Sequence, residues 1–210
     1  LEDYKKTNPY YYRVYCLGEW GSLSKQIFTN YTIRNLDIDE LRKQNYIHCV
    51  GVDFGYVNDP TTIIQSLVDE EHKKIYIYNE FYETGLLNNE IARQLKALGL
   101  EKSTIVADSA EQKSIEEIKR EGIRRIIPSR KGKDSVIQGI QKLQQYELIV
   151  DSGCPNTIEE LENYSWKKDR SGEYINQPVD QHNHCIDALR YSLQCVDSKP
   201  KLKTLPSNTL

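Results

Sequence analysis

Val50-Gly-Val-Asp-Phe-Gly-Tyr56 sets an aspartate, Asp53, inside an apolar run that alternates as a strand does. On such a strand Asp53 points opposite to Val52 and Phe54 and shares a face with Gly51 and Gly55, whose small size leaves room for a metal ion or a phosphate. A carboxylate in apolar surroundings is costly unless a cation or a hydrogen-bond donor compensates it. The pattern recurs twice, far along the chain. Asp108 closes Thr104-Ile-Val-Ala-Asp108, and Asp187 lies in His182-Asn-His-Cys-Ile-Asp-Ala-Leu-Arg-Tyr191. Three carboxylates drawn from distant segments are what a site for two divalent ions requires. Each also has a purely structural reading. Asp53 would cap the turn at Gly55, and Asp108 would cap the next helix, a role Ser109 fits better. Asp187 would pair with Arg190, against which stands the divergence of neighbouring residues on a helix.

Outward from Asp53, the chain reads β-β-β-α-β-α-β-α with later additions. Alternating runs at 47–54, 61–68 and 74–82 are joined by Asn58-Asp-Pro60 and Asp69-Glu-Glu-His-Lys73, both hairpin connections. A helix is predicted over 89–98, ended by Gly99, then a short buried strand over 103–107. Ser109-Ala-Glu-Gln112 has the capping-box pattern and should start a helix to about 121. A strand over 123–127 stops at Pro128, Asp134 caps a helix to 146, and 147–150 is a brief strand. Thr157-Ile-Glu-Glu160 begins a short helix by the same capping pattern. Two strands over 164–168 and 173–176 flank the turn Asp169-Arg-Ser-Gly172, and a last helix covers 183–195. Three antiparallel strands followed by βαβ linkages make an α/β fold. Its mixed central sheet is flanked by helices in ribonuclease H-like (retroviral integrase superfamily) order, with an extra β-hairpin. Residues 1–46 are polar and Tyr-rich and read as loop-rich, with a short helix over 37–43; residues 197–210 read as a mobile tail.

The 210 residues carry 38% hydrophobic and 28% charged residues, a net charge of −3 and a pI near 5.9. That suits a globular chain with a core, and no apolar run is long enough to span a bilayer. The balance excludes a protein coated in positive charge but not one with a local basic patch. Between Lys113 and Lys133 eight basic residues face three acidic ones. Within this stretch Arg130, Lys131 and Lys133 are candidate DNA contacts, as are Lys167 and Lys168 beside Trp166 on the late hairpin; a solvated surface is the bland alternative. Five scattered Cys form no CxxC pair, which suggests reduced thiols in a cytoplasm and argues against a zinc site with His182 and His184. Methionine is absent, which marks the chain as part of something longer. No P-loop, GxSxG or HExxH motif occurs.

His184 lies three residues before Asp187, on the same helical face. A lone His there would be a structural hydrogen-bonder, whereas beside a carboxylate it is a candidate ligand or orienting group. Glu111 suits a helix dipole and could assist the metals, while Asp59 and Asp180 are weaker candidates.

Four stretches carry a family likeness: Leu17-Gly-Glu-Trp-Gly21, Gly51-Val-Asp-Phe-Gly-Tyr56 with Asn58-Asp-Pro60, Ala107-Asp-Ser-Ala-Glu111, and Asn183-His-Cys-Ile-Asp-Ala-Leu-Arg-Tyr191. Over roughly residues 10–196 the chain resembles the C-terminal nuclease domain of the large terminase subunit of tailed double-stranded DNA bacteriophages. Gln112 is a departure, standing where a proline is common in the look-alikes. The resemblance implies a metal-dependent endonuclease that cuts concatemeric viral double-stranded DNA with little sequence specificity during packaging. Asp53, Asp108 and Asp187 would hold two Mg²⁺ or Mn²⁺ ions, with His184 beside them. The ions, about 3.5–4 Å apart, would clamp the scissile phosphate for in-line hydrolysis. It further implies a layout of 1–46 as linker from an N-terminal ATPase domain, 47–196 as nuclease domain and 197–210 as tail. The implied partners are the portal protein, the small terminase subunit and that ATPase domain, in the host cell cytoplasm at the procapsid portal. The competing readings are a Holliday-junction resolvase or transposase-like nuclease of the same fold, an actin/Hsp70-like ATP-binding module, and a catalytically inactive portal-docking module.

Overall fold

The computed structural model describes residues 25–197. The motif at Leu17–Gly21 and the tail from residue 198 lie outside them. A seven-stranded sheet forms the centre, in the order β1-β7-β4-β3-β2-β5-β6. The strands are β1 (Tyr31–Arg34), β2 (Ile47–Asp53), β3 (Thr61–Asp69), β4 (Lys74–Glu83), β5 (Ile105–Ala107), β6 (Ile126–Pro128) and β7 (Glu147–Asp151). β3 pairs antiparallel with β2 and β4, and the other pairings are parallel. Six strands therefore run one way and β3 runs against them, which is the ribonuclease H-like arrangement expected from the order of elements. A separate antiparallel hairpin joins β8 (Trp166–Lys168) and β9 (Tyr174–Pro178).

Helices cover both faces. On one lie α2 (Asn88–Ala97) and α3 (Gln112–Arg120). Their Ile91, Leu95, Ile115 and Ile118 pack on Val50, Val52, Ile63 and Ile105. On the other lie α4 (Ser135–Leu143), α5 (Pro155–Asn163) and α6 (His184–Ser192). Their Ile140, Leu161, Ile186 and Leu189 pack on Cys49, Ile64, Ile75 and Val150. A short α7 (Gln194–Asp197) follows α6. β3 is buried along its whole length because it is central and covered on both sides.

The boundary drawn at residue 47 does not coincide with the edge of this unit. Tyr31–Arg34 adds β1 to the sheet beside β7, and Ile27 and Phe28 are core residues, with Phe28 stacked on Tyr164 at 6.3 Å between centroids. α1 (Ile38–Lys43) forms as expected, with the Asp37 side chain accepting from the Glu40 N–H. Three expected caps do not form. α5 begins at Pro155, ahead of Thr157, whose hydroxyl donates to Glu80 instead. α3 begins at Gln112, and Ser109, the expected capping residue, instead has its N–H bonded to the Ser129 hydroxyl. Asp134 precedes α4 in a left-handed conformation, φ 61°, without a side-chain cap bond.

Gly51 sets how closely α6 approaches the sheet. A Cβ there would lie 1.8 Å from the Ala188 carbonyl oxygen, so only glycine permits this contact.

Candidate metal centre

The parallel pairing of β2 with β5 sets Val52 beside Ala107, and the Asp108 N–H continues the ladder onto the Val52 carbonyl at 3.1 Å. Asp53 and Asp108 thus end adjacent parallel strands at the carboxyl edge of the sheet, where α/β folds bind ligands. α6 crosses above them and brings Asp187 and His184 from the other end of the chain. The Thr62 hydroxyl, on the strand next to Asp53, donates to the His184 carbonyl at 3.0 Å and fixes where α6 starts.

All four groups are sheltered: the side chains of Asp53, Asp108, Asp187 and His184 are 11, 17, 16 and 22% exposed. Each carboxylate faces a different cation. Asp53 Oδ2 is 3.3 Å from His184 Nδ1, while His184 Nε2 stands 3.7 Å from Asp59 Oδ1. Asp187 Oδ1 accepts from Arg190 Nε at 3.0 Å and Nη2 at 2.7 Å. Asp108 Oδ1 forms a close ion pair with Lys131 Nζ, and the Tyr191 hydroxyl donates to its Oδ2 at 3.5 Å.

The electrostatics follow from this crowding. Burial pushes the Asp53 carboxyl up to about 6; the hydrogen bond from His184 opposes the rise, and the charges of Asp187 and Asp108 add to it. Asp187 is raised by burial and held back by Arg190. The hydrogen bond to Asp53 raises His184. Asp53 therefore feels the charge of both other acids.

Among the described residues no three His, Cys, Asp or Glu side chains converge tightly enough to grip an ion as they stand. The donor set nonetheless fits a divalent cation. It consists of hard carboxylate oxygens, sheltered from water, at a strand edge where the charges of Asp108 and Asp187 raise Asp53 and added positive charge is stabilising.

Other expected residues fall around this centre. Lys167 lines a groove of about 660 Å³ together with Gly132, Ser135, Asn176, Asn183 and Asp187, so the hairpin and the segment after β6 form its two walls. Arg130 and Lys133 are exposed on that segment. Lys168 lies over the Tyr174 ring at 4.9 Å, on the hairpin itself. The Glu111 N–H donates to the Asp108 carbonyl at 3.4 Å, while its side chain accepts from the Ser114 hydroxyl and lines a neighbouring cavity of about 390 Å³ with Asp59. The structural reading of Asp187, a pair with Arg190, is met as well: three residues apart on a helix, the two share a face. Glu160, expected as the last member of a capping pattern opened by Thr157 on its own helix, instead serves α6. From α5 it accepts the Ile186 N–H at 3.0 Å, capping α6 where Asn183 offers no side-chain bond.

A family model described as the terminase RNase H-like domain matches residues 53–195. The large terminase subunit of Bacillus phage SPP1 is 33% identical over 92% of this chain and 47% of its own length. The PBSX phage terminase large subunit of Bacillus subtilis is 29% identical over 92% of this chain and 45% of its length. The chain thus spans about half the length of these curated relatives. The crystal structure of the SPP1 large terminase nuclease domain with bound Mn superposes with a TM-score of 0.72, at 32% identity, covering 80% of this chain and 97% of that one. Matched along most of its described length by the family model and by a solved nuclease domain of the same type, the chain belongs to the terminase RNase H-like domain family.

Proposed function

We propose that this chain is a divalent-metal-dependent endonuclease that cuts concatemeric viral double-stranded DNA during genome packaging, with little sequence specificity. The observation that carries the reading is that Asp53, Asp108 and Asp187 lie sheltered at the carboxyl edge of the sheet, near enough for Asp53 to feel the charge of the other two. The SPP1 nuclease domain with bound Mn supports the choice of ion.

Asp53, Asp108 and Asp187 are the residues that would hold Mg²⁺ or Mn²⁺, two ions on this reading. Such ions supply Lewis acidity to the attacking water and to the leaving 3′ oxygen. The chain's own groups do the positioning. His184 orients the inner oxygen of Asp53 and, bridging toward Asp59, fixes which edge of that carboxylate is presented. The groove between the hairpin and the segment after β6, about 660 Å³ in volume, leads to Asp187, and a phosphodiester strand would lie there. Lys167 and Lys168 on one side and Arg130, Lys131 and Lys133 on the other would meet backbone phosphates, contacts that position without reading bases. Since the relatives are about twice as long, an ATPase domain of the same polypeptide, the portal protein and a small terminase subunit are the proposed partners, at the procapsid portal in the host cytoplasm.

The test is nicking and linearisation of supercoiled plasmid with Mn²⁺, Mg²⁺ or EDTA, by the native chain and by Asp53→Ala and Asp187→Ala. Cutting should require the ion and fall at least about a hundredfold in either variant, the scale on which loss of charge stabilisation is felt. Cutting that survives in EDTA, or in both variants, would sink the proposal.

A further inference from the structure

We propose that Lys131 is an exchangeable counter-ion of the metal centre, holding Asp108 until a DNA phosphate draws it away, so that ion loading and DNA binding are coupled. The inference rests on the reading of the three acids as ion ligands and adds the regulation of that site.

Three basic groups face the three acids, and they differ in their freedom to leave. Arg190 is fixed: its side chain is 5% exposed, two of its nitrogens bind Asp187, a third reaches the Ser135 carbonyl, and it lies against the Tyr191 ring. His184 sits on α6, its carbonyl held by Thr62 and its ring between Asp53 and Asp59. Lys131 differs on each point. It belongs to the non-helical, non-strand segment between β6 and α4, beside Gly132. Its side chain is 38% exposed, and its ammonium meets the Asp108 carboxylate and the face of Tyr191, 5.3 Å from the ring centre. A lysine is a compact charge on a flexible stem, able to change partner without disturbing the backbone.

Position gives the exchange its consequence. The ammonium rests on Oδ1 of Asp108, one of the oxygens an ion would need, and two cations at contact distance on one oxygen repel strongly. Lys131 therefore competes with ion binding. Gly132 and Asp134 of the same segment line the groove that ends on Asp187, and Lys131 lines the adjoining cavity of about 180 Å³, which shares Gly132 and Ser135 with that groove. A phosphate in that groove offers the ammonium a second anion. Once there, it both holds the strand and frees Asp108. Coupling of this kind is reciprocal: what DNA does for ion affinity, ions do for DNA affinity.

The experiment is calorimetric titration of Mn²⁺ into the native chain, Lys131→Met and Lys96→Met, without DNA. Lys96, exposed on α2 and outside both the site and the groove, serves as the control. Lys131→Met should bind Mn²⁺ roughly two- to fivefold more tightly, the scale of a partly exposed ion pair, while Lys96→Met matches the native chain. The titrations are then run with Ca²⁺, an oxygen-seeking ion that supports little hydrolysis, with and without a short DNA duplex. The duplex should raise ion affinity more in the native chain than in Lys131→Met, because direct phosphate–ion contacts are common to both and cancel. Unchanged or weaker Mn²⁺ binding by a Lys131→Met chain with native thermal unfolding would overturn the inference, as would an equal gain from DNA in both chains. Failure of the native chain to bind Mn²⁺ at all would remove the metal reading itself, an outcome distinct from either.

Discussion

At the residue scale, the centre is held by compensation of buried charge. Asp187 can remain ionised on α6 because Arg190 donates to it twice. Arg190→Ala would leave a sheltered carboxylate unpaired, with an expected loss of about 3 kcal/mol in urea unfolding measured in EDTA. Mn²⁺ should return part of that loss, since an ion supplies the missing charge, whereas Arg190→Lys should be intermediate because one ammonium cannot reproduce the paired donors. Equal destabilisation with and without Mn²⁺ would argue that Asp187 takes no part in ion binding. The acids themselves were legible in the sequence because each interrupts or ends an apolar run, a pattern that burial makes costly. Their cations were less so. Arg190 could have been assigned from its spacing, but the approach of Lys131 to Asp108 depends on where the segment after β6 lies. Glu160 lies on a different helix from the backbone it caps, and nothing local marks it.

At the element scale, α6 matters most, because it carries two of the four candidate groups and depends on a neighbour for its start. Glu160 caps it from α5, which is in turn held by Glu80 of β4 through the Asn156 and Thr157 N–H groups, both at 2.8 Å. Burial pushes the Glu160 carboxyl up to about 7, against the backbone donors of Cys185 and Ile186 that favour its ionised form. Between the ordinary glutamate value and about 7, the folded chain holds a proton that the unfolded chain has lost. Stability should therefore fall as pH rises through that window, by up to about 3 kcal/mol from this group alone. Glu160→Gln cannot ionise and should flatten that part of the profile; urea midpoints from pH 4.5 to 8 check it, and identical slopes in the two chains would refute the assignment. Long elements were readable from alternation and from glycine stops, as at Gly99 after α2. Starts were read less well. Ser109 and Asp134 have the right chemistry for caps, but α3 starts only at Gln112, three residues beyond Ser109, and Asp134 adopts a left-handed backbone.

At the scale of the whole molecule, the sheet gathers its candidate site at one end because β2 and β5 run the same way, side by side. The opposite lateral edge is closed by β1, a four-residue strand too short and too mixed in polarity to stand out in the sequence. A chain begun at Ile47 would lack it. β7 would then present unpaired N–H and C=O groups, and Tyr164 would lose Phe28. Such a truncation should unfold at lower temperature and form oligomers on size-exclusion chromatography, as bare edges do; a monomer as stable as the longer chain would show β1 to be dispensable. The spacing between the two ends of the site has a different origin. Where Gly51 meets the carbonyl of Ala188, two backbones touch without a side chain between them, two residues before Asp53 and one after Asp187. A gauge made of main chain keeps its length whatever side chains are exchanged around it. Lineages that differ widely in the composition of both apolar layers can therefore inherit the same separation between strand and helix carboxylates, provided that this one position stays without a side chain.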